Sequence, residues 1–316
     1  MPERVVQELL PSLEAALGWL RDYGDADGDG FLEYLDRSGH GLANQGWKDS
    51  ADSVRFADGT IATGPVALCE VQGYAHEAAL RGAALLDHFG RPGGVFWQEW
   101  ALRLNEHFRE VFWVSRSDGL TFPALALDGL KRPVDALTSN IGHLLGTGLL
   151  SSAESSLIAS LLAAPALSSG YGLRTMATTD VGYAPLSYHC GSVWAHDTAI
   201  ALHGLARSGL GSSGFGLIEG LLTAASGFGY RLPELYSGDS SGLLPYPAAC
   251  CPQAWSAAAI GPILQTLAGL SADNGTLECI PPTDSPFGAL HVTGIRFGAD
   301  TFAASVDRDG HGRLHS

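Results

Sequence analysis

The sequence predicts an all-α chain, with helices in two nested layers of a toroid and a short β-rich C-terminal tail. Three observations predict it. Eight segments carry helical apolar spacing or run for several turns without a breaker; several are apolar on nearly every side; the stretches joining them are long, polar and glycine-rich. A helix apolar all round needs cover on every side, so it belongs to an inner layer. Long structured connections inside a compact domain are usually functional. Inner and outer helices with such loops at one rim describe a toroid better than a plain bundle.

The first helix is expected over residues 5–23, with Val6, Leu9, Leu10, Leu13, Ala16, Leu17 and Leu20 at spacings of three and four. Pro11 falls inside it, so its regular part is expected to start there, with proline in the first turn. Pro65 marks the start of a second helix over 66–89, interrupted only by Gly73 and Gly82. Further helices are expected over 95–112, 135–145, 151–163, 194–208, 214–229 and 252–270. The sixth is rich in Ala, Gly and Leu on all sides, the composition of an inner helix. Pro281, Pro282 and Pro286 form a linker, after which Leu290, Val292, Ile295, Phe297, Phe302 and Val306 alternate with polar residues in two or three short strands. The expected organisation is a helical module over 1–275 and a strand-rich tail over 276–316.

Composition excludes several classes. A formal charge of −15 argues against nucleic acid or an anionic membrane surface as partner, since both need a basic patch. With 46% hydrophobic and 16% charged residues, the chain is not a disordered acidic tail. No apolar run reaches the ~18 residues of a membrane span, and charges interrupt the N-terminus where a signal peptide would be apolar. Five cysteines without CxxC spacing read as reduced thiols, so the expected location is cytoplasmic.

The residues able to do chemistry gather in the three long loops, 24–64, 168–192 and 230–251. The first holds Gly46-Trp47-Lys48-Asp49-Ser50, an acid beside an aromatic and a cation, with Asp52 and Asp58 as rivals. A lysine favours the ionised acid and a tryptophan face disfavours it; a plain helix-capping Asp49 is the competing reading. The third loop sets Glu234 among apolar neighbours in Arg231-Leu232-Pro233-Glu234-Leu235, where Arg231 or a backbone amide could equally satisfy it. Two such carboxylates are the minimum for glycoside hydrolysis, one to protonate the leaving oxygen and one to activate water. Just past the middle loop lie Trp194, His196 and Asp197, and Tyr188 and His189 stand at its end. Aromatic faces and polar groups in this mixture suit a sugar. The seven-residue gap between the histidines matches no standard zinc spacing, and a buried polar helix start is the bland alternative. Asp25, Asp27, Asp29 and Asp36, with Gly30 at the sixth place, follow an EF-hand loop, although the twelfth place is Asp and no helix follows. A structural calcium ion or a plain Asp-Gly turn both fit that pattern.

In order, the strings GWKDS, GPVALCEVQGY, SN-IGHLL, LSYH-GSVW-HD, RLPEL and PQAWS resemble the amylo-α-1,6-glucosidase module of bacterial glycogen debranching enzymes, from about Leu10 to the tail. That resemblance implies an (α/α)6 toroid and inverting hydrolysis of α-1,6-linked glucose. It implies Asp49 as general acid and Glu234 as general base. Trp47, Glu70, Tyr188, His189, Trp194, His196, Asp197 and Trp255 would line the sugar pocket, with Gln253 supporting the base loop. Related toroidal glycosidases also carry an Asp-rich calcium loop in a comparable place. Ala51 and Ala195 depart from the family pattern.

The resemblance further implies toroid helices before Met1. The expectation is an incomplete toroid of about eight helices, with a second chain supplying the rest, or a carbohydrate-binding remnant without activity. A toroidal α-glycosidase for a small glucoside such as glucosylglycerate is the other alternative. An inverting site also requires its two carboxyl groups to lie roughly 6.5–9.5 Å apart.

Overall fold

The computed structural model describes residues 3–34, 40–42, 44–272 and 275–316. It divides into two compact units, Met1–Ser151 with Asp180–Gly182, and Ser152–Thr179 with Tyr183–Ser316. Among the described residues there are eight α-helices, several two-stranded pairs and one three-stranded sheet.

In the first unit, α1 (Glu3–Trp19) buries Leu10 and Leu17, two turns apart on one face, and runs into a π-helical turn, Leu20–Gly24. It passes straight through Pro11 instead of starting there. Pro11 and Gln7 are both exposed, so water can satisfy the Gln7 carbonyl that proline cannot serve. The next two helices, α2 (Cys69–His88) and α3 (Gly94–Val111), pack on each other. Their core is Leu17, Ala79, Ala83, Leu86, Trp97 and Ala101. Three alanines in that set let the helix axes approach, while the larger side chains fill the flanks.

The helix expected over 135–145 is instead a 3-10 run, Ser139–Leu144, with all six residues buried. The cause is upstream. Buried Asp180 accepts the Leu137 N–H at 2.6 Å and an Arg116 N–H at 2.6 Å. The Thr138 backbone that follows is extended, at φ −135° and ψ 163°, so the helical run begins only at Ser139.

The second unit holds α4 (Ser152–Ala163), α5 (Ala195–Arg207), α6 (Phe215–Gly227), α7 (Ala254–Ala258) and α8 (Ile260–Ala268). Nine of the thirteen α5 residues are buried, as an inner helix requires, and α6, α7 and α8 pack on it. The single helix expected over 252–270 is broken at Ala259. Pro262 has no N–H for the Ala258 carbonyl, and its ring collides with that carbonyl in a continuous helix. The sequence count of eight helices therefore recurs for different reasons, since one expected helix is 3-10 and another is two.

The tail is an antiparallel three-stranded sheet, Leu290–Phe297, Asp300–Val306 and Gly312–His315, with the middle strand central. Its buried Ala304 and Val306 lie on the strand that packs on α8.

Both units use one device to aim side chains. A two-residue strand leads directly into a buried helix: Ala67–Leu68 into α2 and Val193–Trp194 into α5. Each strand is clamped by an antiparallel partner, Ala126–Leu127 in one unit and Leu235–Tyr236 in the other. The second helical residue is Glu70 in the first case and His196 in the second.

No helix among the described residues is long and apolar enough to cross a membrane. The five cysteines form no disulfide.

Candidate active site

The first-unit cluster is built on the 44–53 loop. Asn44 and Ser53 both donate to the Lys48 carbonyl, the latter at 2.6 Å, and Asn44 accepts from the Gly46 N–H. A side chain at Gly46 would meet Leu68 Cδ1 at 2.3 Å, so the loop lies close on the start of α2 and a larger residue there would have to push the Leu68 side chain aside. Lys48 is 3% exposed, its ammonium 5.0 Å from the Trp47 ring centre. Trp47 stacks on His143 at 5.8 Å and 5°, and His143 Nδ1 shares a 2.5 Å hydrogen bond with the Tyr74 hydroxyl. Asp49 is exposed.

Glu70 lies buried in the same unit and accepts from Asn140 Nδ2 at 2.8 Å. Burial raises its carboxyl above the ordinary range, against the opposing pull of His143, Lys48 and Asn140. The neighbouring Cys69 thiol is also pushed well up, by burial first and then by Glu70. A cavity of about 610 Å³ opens in this unit. Tyr23, Tyr34, Gln45, Gly46 and Leu68 line it, whereas Asp49 and Glu70 are not among its walls.

In the second unit the residues of the middle and third loops come together. Trp194 pairs with Leu235 across the strand pair, which sets Glu234 one step beyond the paired residues. The Glu234 carboxylate accepts from the Tyr188 hydroxyl at 2.8 Å and from the Cys250 N–H at 3.3 Å. Its own N–H donates to the Cys250 carbonyl at 2.9 Å, and Ser256 in α7 fixes the preceding Pro233 carbonyl. Gln253 accepts from the Ala254 N–H and so caps α7.

Around this carboxylate stands a group of rings. His189 stacks on Trp194 at 5.0 Å, and His196 stacks on Trp255 at 4.3 Å. The indoles of Trp194 and Trp255 meet edge to face at 5.8 Å, and Tyr188 meets Trp194 edge on at 4.9 Å. The Trp194 indole N–H donates to the Tyr188 carbonyl at 2.8 Å, locking the loop to the helix start. His189, Trp194, His196 and Asp197 are buried, whereas Trp255 is 42% exposed. Among the described residues, His189 and His196 join no group of ligating atoms, so the zinc alternative gains no geometry.

The Asp-rich loop is also gathered. Asp25, Asp27, Asp29 and Glu33 bring carboxylate oxygens within 4.8 Å of one another. Glu33 takes the ninth loop place; Asp36 lies outside the described residues. Lys131 Nζ sits 2.6 Å from an oxygen of both Asp27 and Asp29 and also bonds Glu33.

Several contributors escaped the sequence. Asn140 and His143 stood in the SN-IGHLL string without a role, and Tyr246 in Pro245-Tyr246-Pro247 now packs on Tyr188 at 5.7 Å. Lys131 carried no signal, being one charge in a turn far along the chain.

A family profile described as "Mannosylglycerate hydrolase MGH1-like glycoside hydrolase domain" matches residues 2–230. The chain belongs to this glycoside hydrolase family. The profile match to the MGH1-like domain takes in the Asp49 loop and the Tyr188–Asp197 motif, while Glu234 and Trp255 follow it. Solved structures give the fold of this MGH1-like chain. It is similar to a GH63 mannosylglycerate hydrolase from Thermus thermophilus, solved with Tris, at TM-score 0.51 and 19% identity over 63% of this chain and 45% of that one. It is similar to a neutral trehalase from Saccharomyces cerevisiae at TM-score 0.50 and 15% identity over 69% and 40%. It is also similar to a chain titled "Sialidase" at TM-score 0.75 and 13% identity over 98% and 29%. These likenesses speak for a toroidal-glycosidase type of helical fold. The chain spans less than half the length of each of these structures. No curated protein sequence matches it.

Proposed function

We propose that this MGH1-like domain serves inverting hydrolysis of a small α-glycoside, with Glu234 as general base and Asp49 as general acid. One observation carries the reading: the Glu234 carboxylate is held by Tyr188 and the Cys250 N–H beside a group of buried and half-exposed rings. Two fixed donors orient the carboxylate and leave acceptor capacity for a water proton. The base draws that proton as the water oxygen attacks the anomeric carbon, and the acid delivers a proton to the leaving oxygen on the opposite face. Trp255, braced by His196, offers the ring face on which a sugar's C–H surface stacks. Trp194, His189 and Asp197 are buried and act by holding that wall, and Trp47 and Glu70 play the matching part around the acid loop.

The family match favours a glycerate-linked hexose as substrate class, in line with the small-glucoside alternative. Glycogen debranching is the second reading, favoured by the ordered strings from GWKDS to PQAWS. Purified chain offered mannosylglycerate, glucosylglycerate and a branched limit dextrin separates the two. Hexose release from a glycerate glycoside supports the first, and glucose from the dextrin alone supports the second. Glu234→Gln and Asp49→Asn should each lower turnover by about 10²–10⁴-fold on the accepted substrate. Unchanged turnover in either variant removes that residue from the mechanism. Tight binding of the sugars without any turnover would favour the carbohydrate-binding remnant.

A further inference from the structure

The Asp-rich loop follows the spacing of a calcium site, yet its oxygens are turned to other partners. Both Asp25 oxygens accept backbone N–H groups, Oδ1 from Gly28 and Asp29 and Oδ2 from Gly30. Asp27 Oδ1 takes the Asp29 N–H, Asp29 Oδ1 the Phe31 N–H and Glu33 Oε2 the Ala26 N–H. The three remaining oxygens, one each from Asp27, Asp29 and Glu33, all face Lys131 Nζ. An ammonium has three N–H donors and no acceptor. Three donors therefore meet three acceptors, and all eight carboxylate oxygens of Asp25, Asp27, Asp29 and Glu33 are engaged.

We propose that Lys131 is the resident cation of this loop, holding the place a calcium ion would take, so that residues 25–33 need no divalent metal. The lysine is delivered by a rigid turn. Its N–H donates to the Asp128 carbonyl at 2.8 Å, and Asp128 accepts from the Leu130 and Arg132 N–H groups and pairs with the Arg132 side chain. Lys131 itself stands at φ 60°, a left-handed conformation that favours glycine or asparagine. Burial works against its charge, but the three carboxylates outweigh this and raise its pKa. The loop is also anchored where it leaves this cluster: Gln72 of α2 bonds the Leu32 N–H and carbonyl, both at 2.9 Å. Calcium could enter only by displacing the ammonium, because a 2+ ion and the lysine would compete for the same three oxygens.

The test uses the full chain and calcium chloride, with readouts independent of hydrolysis. Chelator-treated wild type is titrated with calcium by calorimetry, and its Tm is compared in EDTA and in millimolar calcium. No binding heat and an unchanged Tm are expected. Lys131→Met keeps the aliphatic stem and removes the charge; its Tm should fall by several degrees in EDTA and recover in calcium. Lys131→Arg retains the charge and should remain indifferent to calcium, which keeps the idea testable should the Met variant not fold. One-to-one calcium binding by wild type with loss of Tm in EDTA would overturn the proposal. A Lys131→Met variant with wild-type Tm in both media, or a calcium-dependent Lys131→Arg, would overturn it equally.

Discussion

Tyr188 and Glu234 lie 46 residues apart in sequence and share a 2.8 Å hydrogen bond, phenol to carboxylate, beside the Trp194 indole. Tyr188 is itself pinned, because its carbonyl accepts both the Trp194 indole N–H and the Ser192 hydroxyl. The carboxylate is therefore oriented by a donor that cannot easily swing away. Removing only that hydroxyl in Tyr188→Phe should lower kcat by about 10–100-fold, the value of a hydrogen bond to a charged group. KM should change little, as for an interaction that matters chiefly in the transition state. Steady-state kinetics on the accepted glycoside checks this; a raised KM at constant kcat would mean that Tyr188 only binds sugar.

Glu70 makes a prediction about stability against pH. Its folded pKa is raised, chiefly by burial. Between its unfolded value near 4.5 and that raised value, the folded state keeps a proton that the unfolded state has released. Stability from this group is therefore lost as pH rises through that window. Glu70→Gln removes the titration and keeps an acceptor for Asn140. Its Tm relative to wild type should thus improve from pH 4 to pH 7, as differential scanning calorimetry would show. A difference that is flat with pH contradicts the account.

Arg174 staples the second unit. Buried at 3% exposure, it donates to the carbonyls of Gly238, Pro165 and Ser168 at 2.6, 2.7 and 2.9 Å. Arg174→Met fills similar space and strands the Pro165 and Ser168 carbonyls, at roughly 1–3 kcal/mol for each left without a donor, while the Gly238 carbonyl keeps the Tyr183 hydroxyl at 3.2 Å. Urea unfolding should show a loss of at least about 2 kcal/mol, and a loss under about 1 kcal/mol would mean that water replaces the guanidinium.

Close approach in the same region gives a further prediction. A side chain at Gly238 would stand 1.8 Å from the Gly191 carbonyl oxygen, in the loop that carries Tyr188 and leads to Trp194. Gly238→Ala should force that loop outward at about 1–3 kcal/mol and lower turnover together with stability. Wild-type Tm and activity in this variant would show that the loop has slack.

Much of this was legible in the sequence because it is local. Helical apolar spacing marked α1, a run broken only by glycines after Pro65 marked α2, and the all-round apolar composition near Ala199 marked α5 as an inner helix. The errors were tertiary or chemical. The extended backbone before the 3-10 run at Ser139 is held by the Leu137 N–H bond to Asp180, 43 residues away, which no local pattern encodes. The break at Ala259 follows from Pro262, whose effect falls four residues upstream and was there to be read. At the site, Tyr188, Trp194, Glu234 and Trp255 were found as separate strings, but their assembly depends on the Trp194–Leu235 pairing. Lys131 was invisible because its partners lie about 100 residues away, where a motif for calcium drew attention to the acids alone.

The central claim is that Glu234 activates water for a single displacement, and the anomeric form of the first product tests it most directly. Proton NMR should follow hydrolysis of the accepted α-glycoside within the first minutes, before mutarotation. The account predicts that the β-anomer of the released hexose appears first and then equilibrates. Initial release of the α-anomer would mean a covalent intermediate with retention, and would contradict it.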